Sequence, residues 1–147
     1  RRPRPDPPPW LPVRPGPSAL TGVNMWPFGR NLSTGRRGER LAAKALKRAG
    51  CAILARNYRC AAGEADLVAL AGDDTLVFAE VKTRSTDRYA DPELAVNKAK
   101  RERYHKVARS YLRTIGRSDL AVRFDIVAVV LPRGARPVIR HIPDAFR

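Results

Sequence analysis

Two carboxylates and a lysine occupy matched positions in two neighbouring segments with strand character. Asp66 lies in the segment 64–71, and Glu80 and Lys82 lie at the end of the segment 75–83. Because side chains alternate along a strand, Glu80 and Lys82 point to one face. Both faces of the segment 75–83 are otherwise largely apolar, which predicts a central strand buried on both sides. A carboxylate and an ammonium group there are costly unless they have partners or a chemical role.

The connection at residues 72–74 decides whether Asp66 shares that face. A loop of three residues puts Asp66 directly opposite Glu80, and Glu64 opposite Lys82. A loop of two residues turns Asp66 to the other side of the sheet, and glycine and aspartate suit either loop. We predict the three-residue loop, because only that register collects all four charged side chains at one end of one face.

Two opposed carboxylates beside a lysine form a donor set for a hard divalent cation. Mg²⁺ takes oxygen ligands from one or two carboxylates and keeps its waters for a phosphate, so Mg²⁺ or Mn²⁺ is the expected cofactor. Lys82 would orient or deprotonate an attacking water, or stabilise charge in the transition state. Without the metal, repulsion between Asp66 and Glu80 should raise the pKa of one of them. The alternative is that Glu80 and Lys82 are solvated at a strand end and Asp66 is a strand-edge residue.

The elements that must position these residues follow the order α-β-β-β-α-β. Apolar residues between Leu41 and Ala49 recur at helical spacing, and Gly50 ends that helix. Strands are predicted at 52–59, 64–71, 75–83 and 121–131, with another at 137–142. In a second helix, Asp91 is the expected N-cap and Pro92 the first residue. Its apolar stripe comprises Tyr104, Val107, Ala108, Tyr111, Leu112 and Ile115. This order predicts an α/β fold, a mixed sheet with helices packed on it.

Composition limits the organisation of the chain and its partners. The 147 residues suit one compact domain, which we expect at 31–147 after a Pro/Arg-rich disordered tail at 1–30. Met25 opens a segment that reads as a natural start, so residues 1–24 are expected to be an upstream extension of the reading frame. The longest apolar run has six residues, far below the ~20 that a membrane-spanning helix needs.

The charge of the chain favours a polyanionic partner. Lys and Arg number 29 against 14 acidic residues, for a net charge of +15. Nucleic acid is the favoured partner, because each basic group that displaces a phosphate counterion adds affinity. An anionic membrane surface and a merely arginine-rich composition are the alternatives. Cys51 and Cys60 have no metal-ligand spacing, and no signal-peptide pattern accompanies them, so reduced thiols in a cytoplasmic protein are expected.

Asp66, followed by Glu80-Val81-Lys82, resembles the PD-(D/E)xK signature of restriction-endonuclease-like nucleases, with Ala65 in place of the proline of the signature. The wider pattern is similar to the YraN-like family of small bacterial proteins. The matching stretches are GRRGERLAAKALKRAG (35–50), ILARNYRC (53–60), GEADLVA (63–69), LVFAEVKTR (76–84) and RFDIVAV (123–129). The resemblance implies a restriction-endonuclease-like fold, similar in plan to archaeal Holliday-junction resolvases.

The same resemblance implies further site residues. In such nucleases an acidic residue of the first helix often completes the metal site, and Glu39 occupies that place here. Glu39 also shares a helix face with Ala42 and Leu46, although a glutamate favoured by the helix dipole is an equal alternative. Glu64 projects to the face of Asp66 as a supporting group or a ligand.

Basic residues near these positions are candidates for nucleic-acid contact. They are Arg36, Arg37, Lys98, Lys100 and Arg101, joined by Arg103 and Lys106 on the polar side of the second helix. A solvated helix face is the alternative for each of them. The leading hypothesis is a Mg²⁺- or Mn²⁺-dependent endonuclease acting on DNA, with branched or structured DNA as candidate substrate. The rival is a non-catalytic nucleic-acid-binding module that keeps the fold. Junction-cutting relatives act as symmetric dimers, so a homodimer is a further candidate state.

Removal of residues 1–24 should leave the thermal midpoint almost unchanged, because a proline-rich segment with few apolar residues contributes no core packing. Calorimetry of the full chain and of residues 25–147 checks this expectation. A midpoint that falls by several degrees on truncation would contradict it.

Overall fold

A computed structural model describes residues 32–85 and 96–147. Both helices and all five strands of these residues follow the predicted order. They are α1 (Leu32–Arg48), β1 (Ala52–Cys60), β2 (Gly63–Leu70), β3 (Leu76–Arg84), α2 (Lys98–Ile115), β4 (Val122–Val130) and β5 (Val138–Phe146). The predicted α/β class is therefore confirmed, and each predicted strand has a counterpart within a few residues of its expected bounds.

The five strands form one mixed sheet in the order β1-β2-β3-β4-β5. Strand β3 is central and runs parallel to β4, whereas the other neighbouring strands are antiparallel. Parallel neighbours need a long crossover, and α2 lies in the connection between β3 and β4. The first six residues of β3 are buried, as the apolar character of both its faces predicts.

The register between β2 and β3 is the one that the three-residue loop predicts. Leu67 pairs with Ala79, and Leu70 pairs with Leu76. The Ala71 N–H donates to the Thr75 carbonyl at 2.9 Å, which closes the turn over residues 72–74. The paired residues end at Leu67 and Ala79, one position before Asp66 and Glu80.

The helices pack on opposite faces of the sheet. Helix α1 contributes Ala42, Ala43 and Leu46 to a cluster with alternate residues of β2, β3 and β4, among them Leu67, Val77, Ala79, Val127 and Val129. Helix α2 contributes Tyr104, Val107, Ala108 and Tyr111 to a second cluster, with Val68, Phe78, Phe124, Ile126 and Phe146. Each helix therefore buries one apolar stripe against one face, and the sheet separates two cores.

Helix α2 begins and ends with identifiable caps. The Asn97 side chain accepts a hydrogen bond from the Lys100 N–H at 3.0 Å, so Asn97 is the N-cap. Gly116 ends the helix in the left-handed region with φ 67°, which glycine adopts without strain. The predicted cap Asp91 and first residue Pro92 lie outside the described residues, as does the predicted tail at 1–30.

Neither described helix is long and apolar enough to cross a membrane. Cys51 and Cys60 form no disulfide in the part of the chain that the structure describes.

At Gly38, α1 lies close to Thr83 of β3. A Cβ atom at this position would lie 1.9 Å from Thr83 Oγ1 and 2.9 Å from Thr83 Cβ, so rotation of the Thr83 side chain does not relieve the clash. Gly38→Ala should therefore reduce the free energy of unfolding by about 1–3 kcal/mol, measured by urea denaturation. Gly35→Ala in the same helix is the matched control. No atom lies within 4 Å of that Cβ, so a gain of about 0.4–1 kcal/mol is expected. Equal effects of the two substitutions would refute this account of the packing.

Candidate functional site

The Glu80 carboxylate lies on the central strand, with only 6% of the residue exposed, and its two oxygens accept hydrogen bonds from two elements. Oε1 is 2.9 Å from Lys82 Nζ on the same strand and 2.5 Å from Lys100 Nζ on α2. Oε2 accepts a hydrogen bond of 2.5 Å from the Tyr104 hydroxyl. The buried charge is therefore matched by two ammonium groups and one hydroxyl donor.

Asp66 lies where β2 and β3 part. The paired residues of the two strands end at Leu67 and Ala79. Beyond that pair, Asp66 Oδ2 accepts a hydrogen bond of 2.7 Å from the Val81 backbone N–H. A side-chain carboxylate therefore satisfies a backbone donor of β3 at the point where the ladder ends. Asp66 is 8% exposed, so two buried carboxylates occupy this end of the β2–β3 pair.

The charges around Glu80 reverse the expected direction of its pKa. Burial alone would raise the pKa of Glu80, but the charges of Lys100 and Lys82, with hydrogen bonds from Lys100 and Tyr104, lower it to about 2. The expectation that repulsion raises the pKa of one carboxylate is therefore wrong for Glu80. Its nearest charged neighbours are ammonium groups from two elements, and their attraction, with the hydrogen bonds, outweighs burial.

Helix α2 supplies two of the three Glu80 partners, and the sequence interpretation gave neither of them this role. Lys100 was predicted as a phosphate contact and Tyr104 as a core residue. The two residues are four positions apart, so they lie on one helix face. Burial raises the pKa of Tyr104 well above its usual range, and the negative charges of Glu80 and Asp66 add to this shift, so the hydroxyl remains a donor. Burial lowers the pKa of Lys100, whereas Glu80 opposes that shift. Tyr104 in the apolar stripe was the sequence signal for this contact, because a buried tyrosine hydroxyl needs a hydrogen-bond acceptor.

Glu39 contacts β1 rather than Glu80. Its Oε2 accepts a hydrogen bond of 3.1 Å from Asn57 Nδ2. Asn57 lies between the paired residues Arg56 and Tyr58, whose partners Leu67 and Ala65 flank Asp66. Glu39 thus reaches the neighbourhood of Asp66 from the α1 side of the sheet, and its role as a metal ligand stays a prediction.

Glu64 lies on the strand of Asp66 but is bonded elsewhere. Its Oε2 is 3.1 Å from Arg59 Nε in an ion pair between exposed side chains. The electrostatic influence of Glu64 extends to Tyr104, whose pKa it helps to raise, so it lies near the site. Its predicted supporting role stays a prediction.

The basic residues proposed for nucleic-acid contact fall into two groups. Arg36, Arg37, Lys98, Arg101, Arg103 and Lys106 are exposed. Lys100 is instead partly buried against Glu80. The exposed residues are accessible to a phosphate backbone, whereas Lys100 is already engaged by a carboxylate.

Asp66 and Glu80 supply the oxygen ligands that a divalent cation prefers, but they do not surround a preformed coordination site. Among the described residues, no group of three or more His, Cys, Asp or Glu side chains is placed to hold a metal ion. Mg²⁺ and Mn²⁺ need only one or two carboxylates when water and phosphate complete the shell, so Asp66 and Glu80 fit as a donor pair. The ammonium group on Glu80 Oε1 then competes for the oxygen that such a cation would use.

A third buried carboxylate, which the sequence interpretation missed, joins β4 to β5. Asp125 has no exposed surface and accepts hydrogen bonds from Arg123 at 2.8 and 3.0 Å. His141 Nε2 at 2.8 Å and the Asp144 backbone N–H at 3.0 Å complete its shell. Burial would raise the pKa of Asp125, but these bonds lower it. Because its partners lie on the adjacent strands β4 and β5, Asp125 stabilises the pairing of these two strands.

The five-stranded mixed sheet and the two helices form an α/β fold that is consistent with a restriction-endonuclease-like protein. A model of the family described as "Uncharacterised protein family UPF0102" matches residues 38–129. A UPF0102 protein of Syntrophus aciditrophicus (strain SB) is 48% identical over 118 residues, which cover 80% of this chain and 91% of that protein. A UPF0102 protein of Rhodococcus jostii (strain RHA1) is 47% identical over 119 residues, which cover 81% of this chain and 100% of that protein. A third UPF0102 protein, from Geobacter sulfurreducens, is 45% identical over 116 residues, which cover 79% of this chain and 90% of that protein.

The chain belongs to the UPF0102 family, and the predicted resemblance to the YraN-like family is confirmed.

The lowered pKa of Glu80 predicts a loss of stability in acid. Because its folded pKa of about 2 is below the ordinary value of 4.5, its contribution is complete above about pH 5 and is lost as pH falls towards 2. This single group should account for on the order of 3 kcal/mol of that loss. Glu80→Gln should be less stable at pH 7, because two ammonium groups lose their anion, and its stability should fall less between pH 5 and pH 2. Urea denaturation across this range provides the measurement.

Glu102→Gln is the matched control, because Glu102 is exposed on the same helix as Lys100. Its pH profile should follow that of the wild type. If Glu80→Gln and the wild type lose equal stability between pH 5 and pH 2, the ion pairs of Glu80 do not stabilise the fold.

Proposed function

We propose that this protein is a Mg²⁺- or Mn²⁺-dependent nuclease that hydrolyses DNA phosphodiesters, with branched or structured DNA as candidate substrate. The observation that carries the proposal is the pair of buried carboxylates, Asp66 and Glu80, beside Lys82 where β2 and β3 part. A merely structural role gives little reason to bury two acidic side chains at one end of the central strands, because burial of charge is costly.

Asp66 and Glu80 are the residues that would hold the metal, with Glu39 as a further candidate on the α1 side. When bound, a divalent cation supplies charge stabilisation to a phosphoryl oxygen and lowers the pKa of a water ligand. Each carboxylate is held by a neighbouring element: Asp66 by the Val81 N–H of β3, and Glu80 by the Tyr104 hydroxyl of α2 on Oε2. Donors that are held before the substrate arrives do not have to reorganise during the reaction.

Lys82 is the residue best placed to act on the reacting groups. Its ammonium group lies 2.9 Å from Glu80 Oε1, and the side chain retains 18% exposure. A cation at this position can orient a water molecule for attack or stabilise the charge that develops on the phosphoryl oxygens. Partial exposure leaves room for a substrate to reach it.

The charge of the surface supports a nucleic-acid substrate. The chain carries +15 net charge, and Arg36, Arg37, Lys98 and Arg101 are exposed on the first turns of the two helices or close to them. Such residues position a phosphate backbone without reading its sequence, so binding should weaken steeply as salt increases.

A non-catalytic nucleic-acid-binding module is the second candidate. The observation that favours it is the occupation of Glu80 by Lys82, Lys100 and Tyr104, which gives the carboxylate a complete set of protein partners. In that case the buried charges would serve the fold, and the basic surface alone would carry the function.

Cleavage of labelled linear, flapped and four-way DNA, with and without Mn²⁺, separates the two candidates. We expect metal-dependent products from the wild-type chain. Glu80→Gln and Lys82→Met should each reduce the rate by about 10²–10³-fold, because each removes a charge that acts in the transition state. Retained DNA binding in both variants would show that the loss is chemical. Glu102→Gln, on an exposed position, should keep its rate within about twofold of the wild type.

Binding of these DNAs without cleavage of any of them in Mn²⁺ would refute the nuclease proposal and favour the binding module. Cleavage that Glu80→Gln leaves unchanged would place the chemistry elsewhere.

A further inference from the structure

The first turn of α2 carries a cation into the carboxylate site. Lys100 is the third residue after the N-cap Asn97, and its Nζ lies 2.5 Å from Glu80 Oε1. Lys82 Nζ lies 2.9 Å from the same oxygen. Two ammonium groups therefore share one carboxylate oxygen, whereas Oε2 accepts from a neutral hydroxyl.

Lys100 occupies an electrostatically unfavourable place on its own helix. The N-terminus of a helix is its positive end, and cations are disfavoured there. The first turn of α2 contains Lys98, Lys100 and Arg101, and it contains no acidic residue. Lys100 therefore starts from the positive end of its helix, and its ammonium group is held by Glu80 on β3. Because the positive helix end disfavours the Lys100 ammonium group, a divalent cation can displace it from Glu80.

Lys82 and Lys100 differ in how they can respond to such a competitor. Lys82 is on the strand of Glu80, two residues away, so the alternation of β3 keeps its side chain on the same face. Lys100 reaches Glu80 across the gap between helix and strand, and its side chain is 23% exposed. A long, partly exposed side chain can swing into solvent without any change in the backbone.

We propose that Lys100 is an internal competitor for the metal ion: its ammonium group occupies Glu80 Oε1 until a divalent cation displaces it. This inference rests on the proposed metal-dependent function. Metal binding and the Lys100–Glu80 contact oppose each other, because a divalent cation on Glu80 Oε1 would repel an ammonium group that lies 2.5 Å from the same oxygen. By linkage, Lys100 weakens metal binding, and bound metal releases the Lys100 side chain to solvent.

The released ammonium group has a consequence for the proposed substrate. Exposed Lys98 and Arg101 lie on the same turn of α2, so Lys100 would join them as a third cation. The metal-loaded site would thereby present more positive charge to a phosphate backbone than the metal-free site presents.

Mn²⁺ affinity of the full chain tests the competition, with calorimetry or the electron paramagnetic resonance of free Mn²⁺ as the measurement. Lys100→Met should bind Mn²⁺ about tenfold more tightly than the wild type, because no internal cation has to be displaced. Lys98→Met removes the same charge from an exposed position of the same turn, and it should leave the dissociation constant within about twofold. Glu80→Gln should abolish binding at this site.

A second measurement uses the wild-type chain and does not depend on the stability of any variant. Acetylation of native lysines, followed by mass spectrometry of the peptides, reports the exposure of each ε-amine. Saturating Mn²⁺ should increase the rate at Lys100 several-fold and leave the rate at Lys98 unchanged. In Glu80→Gln, Lys100 should react quickly with or without Mn²⁺.

The results distinguish this inference from the function on which it rests. If Glu80→Gln abolishes Mn²⁺ binding but Lys100→Met binds with unchanged or weaker affinity, the competition is refuted and the metal site stands. A rate of Lys100 acetylation that does not change with Mn²⁺ in the wild type refutes the competition in the same way. If neither the wild type nor Lys100→Met binds Mn²⁺, the metal-dependent function itself is refuted.

Discussion

The burial of a negative charge on the central strand is the constraint on which this structure depends. Glu80 is in the middle layer of the molecule, where a carboxylate without partners would be expensive. Its partners arise from two elements, Lys82 from its own strand and Lys100 and Tyr104 from α2. The position of α2 on the sheet is thus fixed by apolar packing along its length and by charge at its beginning. A tyrosine that belongs to both the core and the carboxylate site connects the two requirements.

The buried carboxylates Asp125 and Glu80 differ in the kind of partner that holds them. Asp125 is held by Arg123, His141 and a backbone N–H, groups that lie on adjacent strands and complete a closed shell. Glu80 is held partly by two lysines, whose side chains are long and partly exposed. Lysine is a compact cation on a flexible stem, so its contacts can be exchanged for those of another cation. Chemistry at Glu80 is therefore possible without unfolding of its surroundings.

Membership of the UPF0102 family and a restriction-endonuclease-like fold do not by themselves define an activity, since one fold hosts many functions. The site supports the proposed nuclease function: β2 and β3 part there, Asp66 and Glu80 supply buried carboxylates, and the Lys82 ammonium group lies beside Glu80. The two helices approach this place from opposite faces. Glu39 reaches β1 from the α1 side, whereas Lys100 reaches Glu80 from the α2 side.

The sequence by itself determined the order of the elements, the central position of β3 and the register of the β2–β3 pair. Periodicity is a local property, and the requirement that four charged residues share one face selected the three-residue loop. Tertiary structure alone decided which groups neutralise those charges. That Lys100 and Tyr104 face Glu80, that Glu39 bonds Asn57 and that Asp125 collects partners from β5 all depend on how helices and strands distant in sequence are brought together. A side chain's partner across such a distance is set by packing, which local patterns do not encode, and the direction of the Glu80 pKa followed from those partners.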